Sequence, residues 1–267
     1  MKKTIVYTTV LVILFLVSGY ADASNVKGRD VAYSHNGVMM KGYLAYDETI
    51  KGKMPGVLVV HEFWGLNDYA RKRARMLAEL GYMALAVDMY EDGKQAAHPE
   101  EARAFADELR KNFDTAKARF LAAMSFLKSQ PGADSERIAA IGYCFGGGIV
   151  LNMARQGVDL KGVASFHGNL TAVKPAIPGS VKAKVLVLHG ADDKFITVQQ
   201  MEAFKKEMID AGANFLFISY PGALHSFTNP DADEYAKTFN MKIGYNKYAD
   251  TASWDKLKSF LREIFGK

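Results

Sequence analysis

One cysteine, Cys144, occurs in the 267 residues. A single thiol cannot close an intramolecular disulfide and offers a redox sensor no resolving partner, so structural bridging is excluded and reversible thiol oxidation is disfavoured. A large excess of one charge sign is also missing: 34 Lys and Arg against 29 Asp and Glu leave a formal balance of +5, with no concentrated basic tract. The densest patch, Arg71-Lys72-Arg73-Ala74-Arg75, has the spacing of a solvated helix face, and no nucleic-acid module accompanies it. There are no internal repeats, no low-complexity segments and no Pro/Gly/Ser-rich linker, which leaves no place to divide the chain. A hydrophobic run of the ~20 residues that a spanning helix needs is missing too.

The longest apolar run, Ile5 to Val17, is short and follows Lys2-Lys3; Ala21-Asp22-Ala23 then supplies small residues before Ser24. This is the pattern of a secretory signal peptide, residues 1–23, cleaved after Ala23. The rival is an uncleaved anchor; the absence of a cysteine after the apolar run argues against a lipidated N-terminus. A secreted or periplasmic protein of residues 24–267 is expected, long enough for one domain with a substantial core.

Later segments alternate between strand and helix. Val26 to Glu48 reads as a hairpin around Asn36-Gly37. Apolar strands are expected at Met54–Val60, Tyr82–Val87, Arg137–Tyr143, Leu160–Phe166, Val185–Leu188 and Phe215–Ser219. Helices are expected from Asn67 or Asp68 to Leu80, across Pro99–Ser129 with a break near Asn112, over Val198–Ala211 and over Ser253–Phe265. The pattern implies an α/β fold: a mostly parallel central sheet with an antiparallel N-terminal hairpin and helices on both faces.

The organising stretch is Arg137-Ile-Ala-Ala-Ile-Gly142-Tyr143-Cys144-Phe145-Gly146-Gly147-Gly148. An apolar strand meets a glycine, the lone thiol and a glycine cluster that opens a helix. Gly-x-Cys-x-Gly is the thiol version of the nucleophile elbow, in which Gly142 and Gly146 approach too closely for β-carbons. The helix start favours a thiolate, and the Phe145 N–H, without a helical partner, can face an oxyanion. Alternatives for the motif alone are a buried cysteine before a glycine-rich helix or a phosphate-binding loop.

Two further groups follow strand ends, where open α/β sheets place their sites. Asp193 lies in His189-Gly190-Ala191-Asp192-Asp193, its spacing from Gly190 and Ile196 favouring it over Asp192; His225 lies in Ala223-Leu224-His225-Ser226-Phe227. Nucleophile, acid and histidine thus occur in the order of α/β-hydrolases. His61, His167 and His189 also end strands, but no carboxylate pattern turns them into a metal site, and no metal or cofactor is expected.

The chain resembles the dienelactone hydrolase family over nearly all of residues 24–267. The resemblance is carried by His61-Glu62-Phe63-Trp64-Gly65-Leu66, Asp88-Met89-Tyr90, Gly142-Tyr143-Cys144-Phe145-Gly146-Gly147, Gly190-Ala191-Asp192-Asp193 and Ala223-Leu224-His225-Ser226-Phe227. It implies an α/β-hydrolase fold, Cys144 as nucleophile, His225 as general base, Asp193 as its orienting carboxylate, Glu62 as a partner of the resting thiol, and the Phe63 and Phe145 amides as oxyanion hole. The implied activity is hydrolysis of a carboxylic ester or lactone. A thioesterase, an acyl transferase and a non-catalytic ligand-binding protein on the same scaffold are the alternatives.

One departure concerns substrate. Where the family carries arginines for a substrate carboxylate, this chain has Glu91-Asp92 and Thr228-Asn229-Pro230. An acidic pair near the site would disfavour anionic substrates unless another cation, such as Arg71 or Lys94, compensates. Residues 227–248, rich in Tyr and Phe, are a candidate pocket wall or simply a packed loop. The expected partner is a small-molecule ester or lactone, with no nucleic acid, no stable membrane association after cleavage and a monomeric state.

Overall fold

The computed structural model describes residues 25–266; the expected signal peptide and its cleavage point lie outside them. The chain enters as a hairpin of β1 (Val26–His35) and β2 (Val38–Asp47). Asn36 and Gly37 both have positive φ, 48° and 78°, as a tight two-residue hairpin turn demands. Val31 and Tyr33 alternate inward, so the hairpin buries one face and leaves the other to solvent.

The order then runs β3 (Met54–Val60), α1 (Asp68–Glu79), β4 (Met83–Val87), α2 (Pro99–Lys111), α3 (Phe113–Lys128), β5 (Ala133–Tyr143), α4 (Phe145–Arg155), β6 (Gly162–Phe166), β7 (Lys184–Gly190), α5 (Val198–Asp210), β8 (Phe215–Tyr220), α6 (Ala232–Phe239) and α7 (Lys247–Phe265). One eight-stranded sheet has the order β1-β2-β4-β3-β5-β6-β7-β8, antiparallel only where β2 meets β1 and β4. This is the expected α/β-hydrolase architecture.

Strand periodicity divides the core. Leu58 and Val60 of β3 face the layer containing α2, α3, α4 and α5. Val57 and Val59 face α1 and α7, against Ala74, Leu77, Leu257 and Leu261. The apolar stretches without alternation are therefore strands covered on both sides. Among the described residues no helix is long and apolar enough to cross a membrane.

The expected break at Asn112 is present: its φ and ψ of −108° and 57° separate α2 from α3. Two C-terminal expectations need correction. α7 begins at Lys247 rather than Ser253, because Asn246 Oδ1 accepts the Ala249 N–H at 3.0 Å and caps residues 247–252, of which only Ala249 is fully buried. α6 was not anticipated: it has only 8 residues, too few to be stable without tertiary support. That support is Trp64, whose ring lies 4.6 Å from Tyr235 and 5.8 Å from Phe239.

Candidate active site

β3, β5, β6, β7 and β8 run parallel, so the loops after them share one edge of the sheet. The sharpest follows β5. Cys144 has φ 52° and ψ −113°, a strained backbone for a residue with a β-carbon. A β-carbon on Gly142 would stand 2.1 Å from the Gly146 carbonyl oxygen, and one on Gly146 2.3 Å from that of Val60. Both glycines are thus required by contact. The Gly146 N–H donates to the His61 carbonyl at 3.1 Å, tying the elbow to the loop after β3.

The loops after β7 and β8 bring the other two groups to the thiol. His225 Nε2 lies 3.1 Å from Cys144 Sγ, and its Nδ1 lies 2.8 Å from Asp193 Oδ2. Asp193 also accepts the Phe195 N–H at 2.8 Å, while neighbouring Asp192 is exposed. The loop carrying His225 is held by its own carbonyl, which accepts the Gly244 N–H at 3.1 Å.

Electrostatics follow from this line of contacts. Burial disfavours a charged His225 ring, yet the sulfur on one side and Asp193 on the other raise its pKa well above the ordinary histidine value. Burial would raise Asp193, but the hydrogen bond and charge of His225, with the Phe195 amide, hold it below the usual carboxylate range. A proton on His225 is therefore stabilised from both ring nitrogens. Among the described residues neither the Phe63 nor the Phe145 N–H donates to an acceptor of the chain, which leaves both for a ligand.

Glu62 is close by but held differently from expectation. Its Oε2 accepts the Asn229 side-chain amide at 2.6 Å, its Oε1 is buried without a partner, and no bond to Cys144 is formed in this conformation. Burial pushes its carboxyl above the ordinary range, against Asn229, Ser226 and nearby positive charge. Asn229 and Thr228 are buried, so the segment that lacks an arginine serves the protein interior. Asn229 as the holder of Glu62 carried no sequence signal, because the two are brought together across 167 positions.

Cys144 and His225 open into a cavity of about 640 Å³, bounded by Phe63, Phe113, Phe145, Ile149, Val173, Phe195, Ile196, Met241 and Ile243. Only Met241 and Ile243 represent the 227–248 segment; Tyr235 and Phe239 pack on Trp64 instead. The expected acidic pair does not line the cavity. Glu91 pairs with Arg119 at 2.7 Å and Lys94 at 2.8 Å, and Asp92 pairs with Lys41 at 2.6 Å. Arg71 is engaged by Asp30. The cations on the cavity wall are Arg103 and Arg110, one face of α2 apart by two turns. Arg110 pairs with Asp107 at 2.8 Å, whereas Arg103 has no ion pair or hydrogen bond among the described residues.

All three strand-end histidines are buried; His61 and His167 are hydrogen-bonded within the protein, whereas neither ring nitrogen of His189 has a partner among the described residues. The Met89 N–H donates to His61 Nε2 at 3.3 Å, so His61 Nδ1 donates to the Glu62 carbonyl. Among the described residues no group of three or more His, Cys, Asp or Glu side chains could hold a metal ion.

Comparison with known proteins gives the family and the fold. The dienelactone hydrolase family model matches residues 40–265. Among solved structures, a dienelactone hydrolase-like promiscuous phosphotriesterase from metagenomic libraries, P91, is 32% identical, covers 90% of this chain and 99% of its own, and superposes with a TM-score of 0.83. A structure named m3DLH is 36% identical with the same coverages and a TM-score of 0.84. A candidate carboxymethylenebutenolidase of Saccharolobus solfataricus is 26% identical over 88% of this chain and 98% of its own. With its fold, its site at the sheet edge and a family match over most of its length, this chain belongs to the dienelactone hydrolase family and is an enzyme of the ester- and lactone-hydrolysing type.

Proposed function

We propose that the protein hydrolyses bulky, largely apolar carboxylic esters or lactones through an acyl-cysteine intermediate. The observation that carries this reading is the unbroken contact line Asp193–His225–Cys144 at the base of an apolar cavity. His225 takes the Cys144 proton, and the sulfur attacks the substrate carbonyl carbon. The oxyanion is received by the Phe63 and Phe145 N–H groups; losing one such donor typically costs ~10²–10³ in rate. The tetrahedral adduct collapses, the C–O bond breaks and His225 returns its proton to the leaving alkoxide. Water then gives a proton to His225 and its hydroxyl to the thioester carbon; the C–S bond breaks, the acid leaves and His225 returns the proton to the Cys144 sulfur. Asp193 keeps the ring oriented and supports its positive charge throughout. Each step uses only groups of the chain, substrate and water.

Cavity size and lining support apolar substrates larger than a small polar lactone, since apolar contact is what most of the wall offers. The test is an ester, lactone and thioester panel with intact-mass detection of a covalent acyl adduct. Wild type should form the adduct and turn over, and Cys144→Ala should lose both. Wild-type turnover by Cys144→Ala would overturn the assignment. We also propose export with maturation at Ser24, for which the pattern of residues 1–23 is the support; an intact mass retaining residues 1–23 would refute it.

A further inference from the structure

His167, the residue after β6, is fully buried and has a positive φ of 40°. No step above uses it, yet it touches both halves of the catalytic apparatus. The Cys144 backbone N–H, shared with the Phe166 carbonyl at 3.0 Å, points at His167 Nδ1 from 3.1 Å. A backbone amide only donates, so Nδ1 is an acceptor without a proton. The neutral ring then carries its hydrogen on Nε2 and donates it to Thr228 Oγ1 at 2.8 Å.

Thr228 sits three residues beyond His225 and is itself anchored from behind. Its Oγ1 is 2.6 Å from the Tyr69 hydroxyl, and its carbonyl accepts from Arg73 at 2.7 Å. Arg73 also donates to Tyr69 at 3.2 Å and pairs with Asp250 at 2.5 Å. The chain of contacts thus runs from the elbow backbone, through one imidazole, to the His225 loop and on to α1 and α7. Neither His167 nor Thr228 lines the substrate cavity.

The surroundings keep the ring neutral. Burial, then His225, Arg73 and His189, each disfavour its charged form and hold its pKa well below the ordinary value. The other titratable groups around it are Tyr143, whose ring is 6.0 Å away, and Tyr69 and Asp250 through Thr228 and Arg73. The His225 ring stands edge-on at 5.2 Å. Were His167 charged, its Nδ1–H would oppose the Cys144 N–H and it would compete with His225 for the catalytic proton.

We propose that His167 is a positioning residue of the reaction: as a neutral Nε2–H ring it clamps the Cys144 amide to Thr228 and thereby sets the approach of Sγ to His225. The elbow peptide it grips is the one whose orientation fixes both the strained Cys144 conformation and the direction of its side chain. The role rests on the acyl-cysteine reading, but its first test does not.

Long-range 1H–15N spectra of the labelled protein report the tautomer directly. His167 should show a bare Nδ1 and a protonated Nε2 that persist from about pH 5.5 to 8, across the range where an ordinary histidine titrates. An Nδ1–H tautomer, or titration near the ordinary value, would overturn the clamp. The second test uses three folded variants. Thr228→Val removes the far contact at nearly constant shape; His167→Asn keeps an acceptor toward Cys144 and tolerates positive φ; His167→Ala removes both contacts. The first two should each lower kcat and the iodoacetamide alkylation rate of Cys144 roughly 10-fold with KM unchanged, and their combination should be no worse than either alone, because they cut one chain. His167→Ala should lose roughly 100-fold, the scale of a ~1 Å misplacement. Wild-type kcat and alkylation in Thr228→Val and His167→Asn would overturn the role even if His167→Ala failed to fold. Cys144→Ala, assayed alongside, separates this outcome from failure of the acyl-cysteine reading.

Discussion

At the scale of the residue, the site is a set of groups whose charge states are decided by neighbours. His225 has burial working against its positive form and two partners working for it, Cys144 and Asp193. Its pKa is raised, so the charged ring should survive above the ordinary pH of histidine titration, near 6.5. Removing either partner removes part of that support. NMR titration of the His225 ring should therefore show a lower pKa in Cys144→Ala and in Asp193→Asn than in wild type. The sign has a stability consequence: the contribution is complete below the unfolded-state value and is lost as pH rises through the raised folded value. A His225 pKa unchanged in both variants would mean that the two contacts do not share its charge. Asp193 was separable from Asp192 by its spacing in the sequence because a strand-end turn is local. The grip of Asn229 on Glu62 was not, because nothing near either residue announces the other.

At the scale of the element, the elbow is the part most completely written in local sequence. Strand, glycine, thiol and glycine cluster are contiguous, and the positive φ of Cys144 follows from the turn they must make. The same closeness makes the glycines intolerant. Gly142→Ala would force a β-carbon to 2.1 Å from a backbone oxygen that cannot move without displacing α4. Thermal or urea unfolding should show a loss of about 3 kcal/mol or more, with activity falling alongside. A variant as stable as wild type would mean the strand–helix corner can open. The helices were less evenly legible. α2 opens on Pro99 and is separated from α3 by a readable break, whereas α6 has two aromatic residues whose reason for packing, Trp64, lies in a loop far away in the chain. The added residues 247–252 of α7 bury only Ala249 fully and start on one capping side chain, Asn246, so apolar periodicity could not reveal them.

At the scale of the whole molecule, the question is which charges the fold delivers to the substrate. Glu91 and Asp92 look from the sequence like a barrier to anions, but the fold gives them Arg119, Lys94 and Lys41 as partners and keeps them off the cavity wall. The unpaired charge there is Arg103. For a matched ester pair, one with a free carboxylate and one with its amide, Glu91→Gln with Asp92→Asn should leave the kcat/KM ratio within about two-fold, since both acids are paired and lie off the cavity wall. Arg103→Ala should lower kcat/KM roughly three- to ten-fold for the carboxylate alone, an effect that shrinks as salt rises. Selectivity that follows the acidic pair and ignores Arg103 would reverse this assignment. The sequence by itself determined the α/β class, the antiparallel entry, the elbow and the order of thiol, acid and histidine, because each is encoded in a few adjacent residues or in a short period. Only the tertiary structure decided what the buried histidines hold, which cations face the cavity and where Glu62 is tethered. These depend on side chains that meet from remote strands and helices, and such meetings are set by the packing of the sheet and its two helical layers.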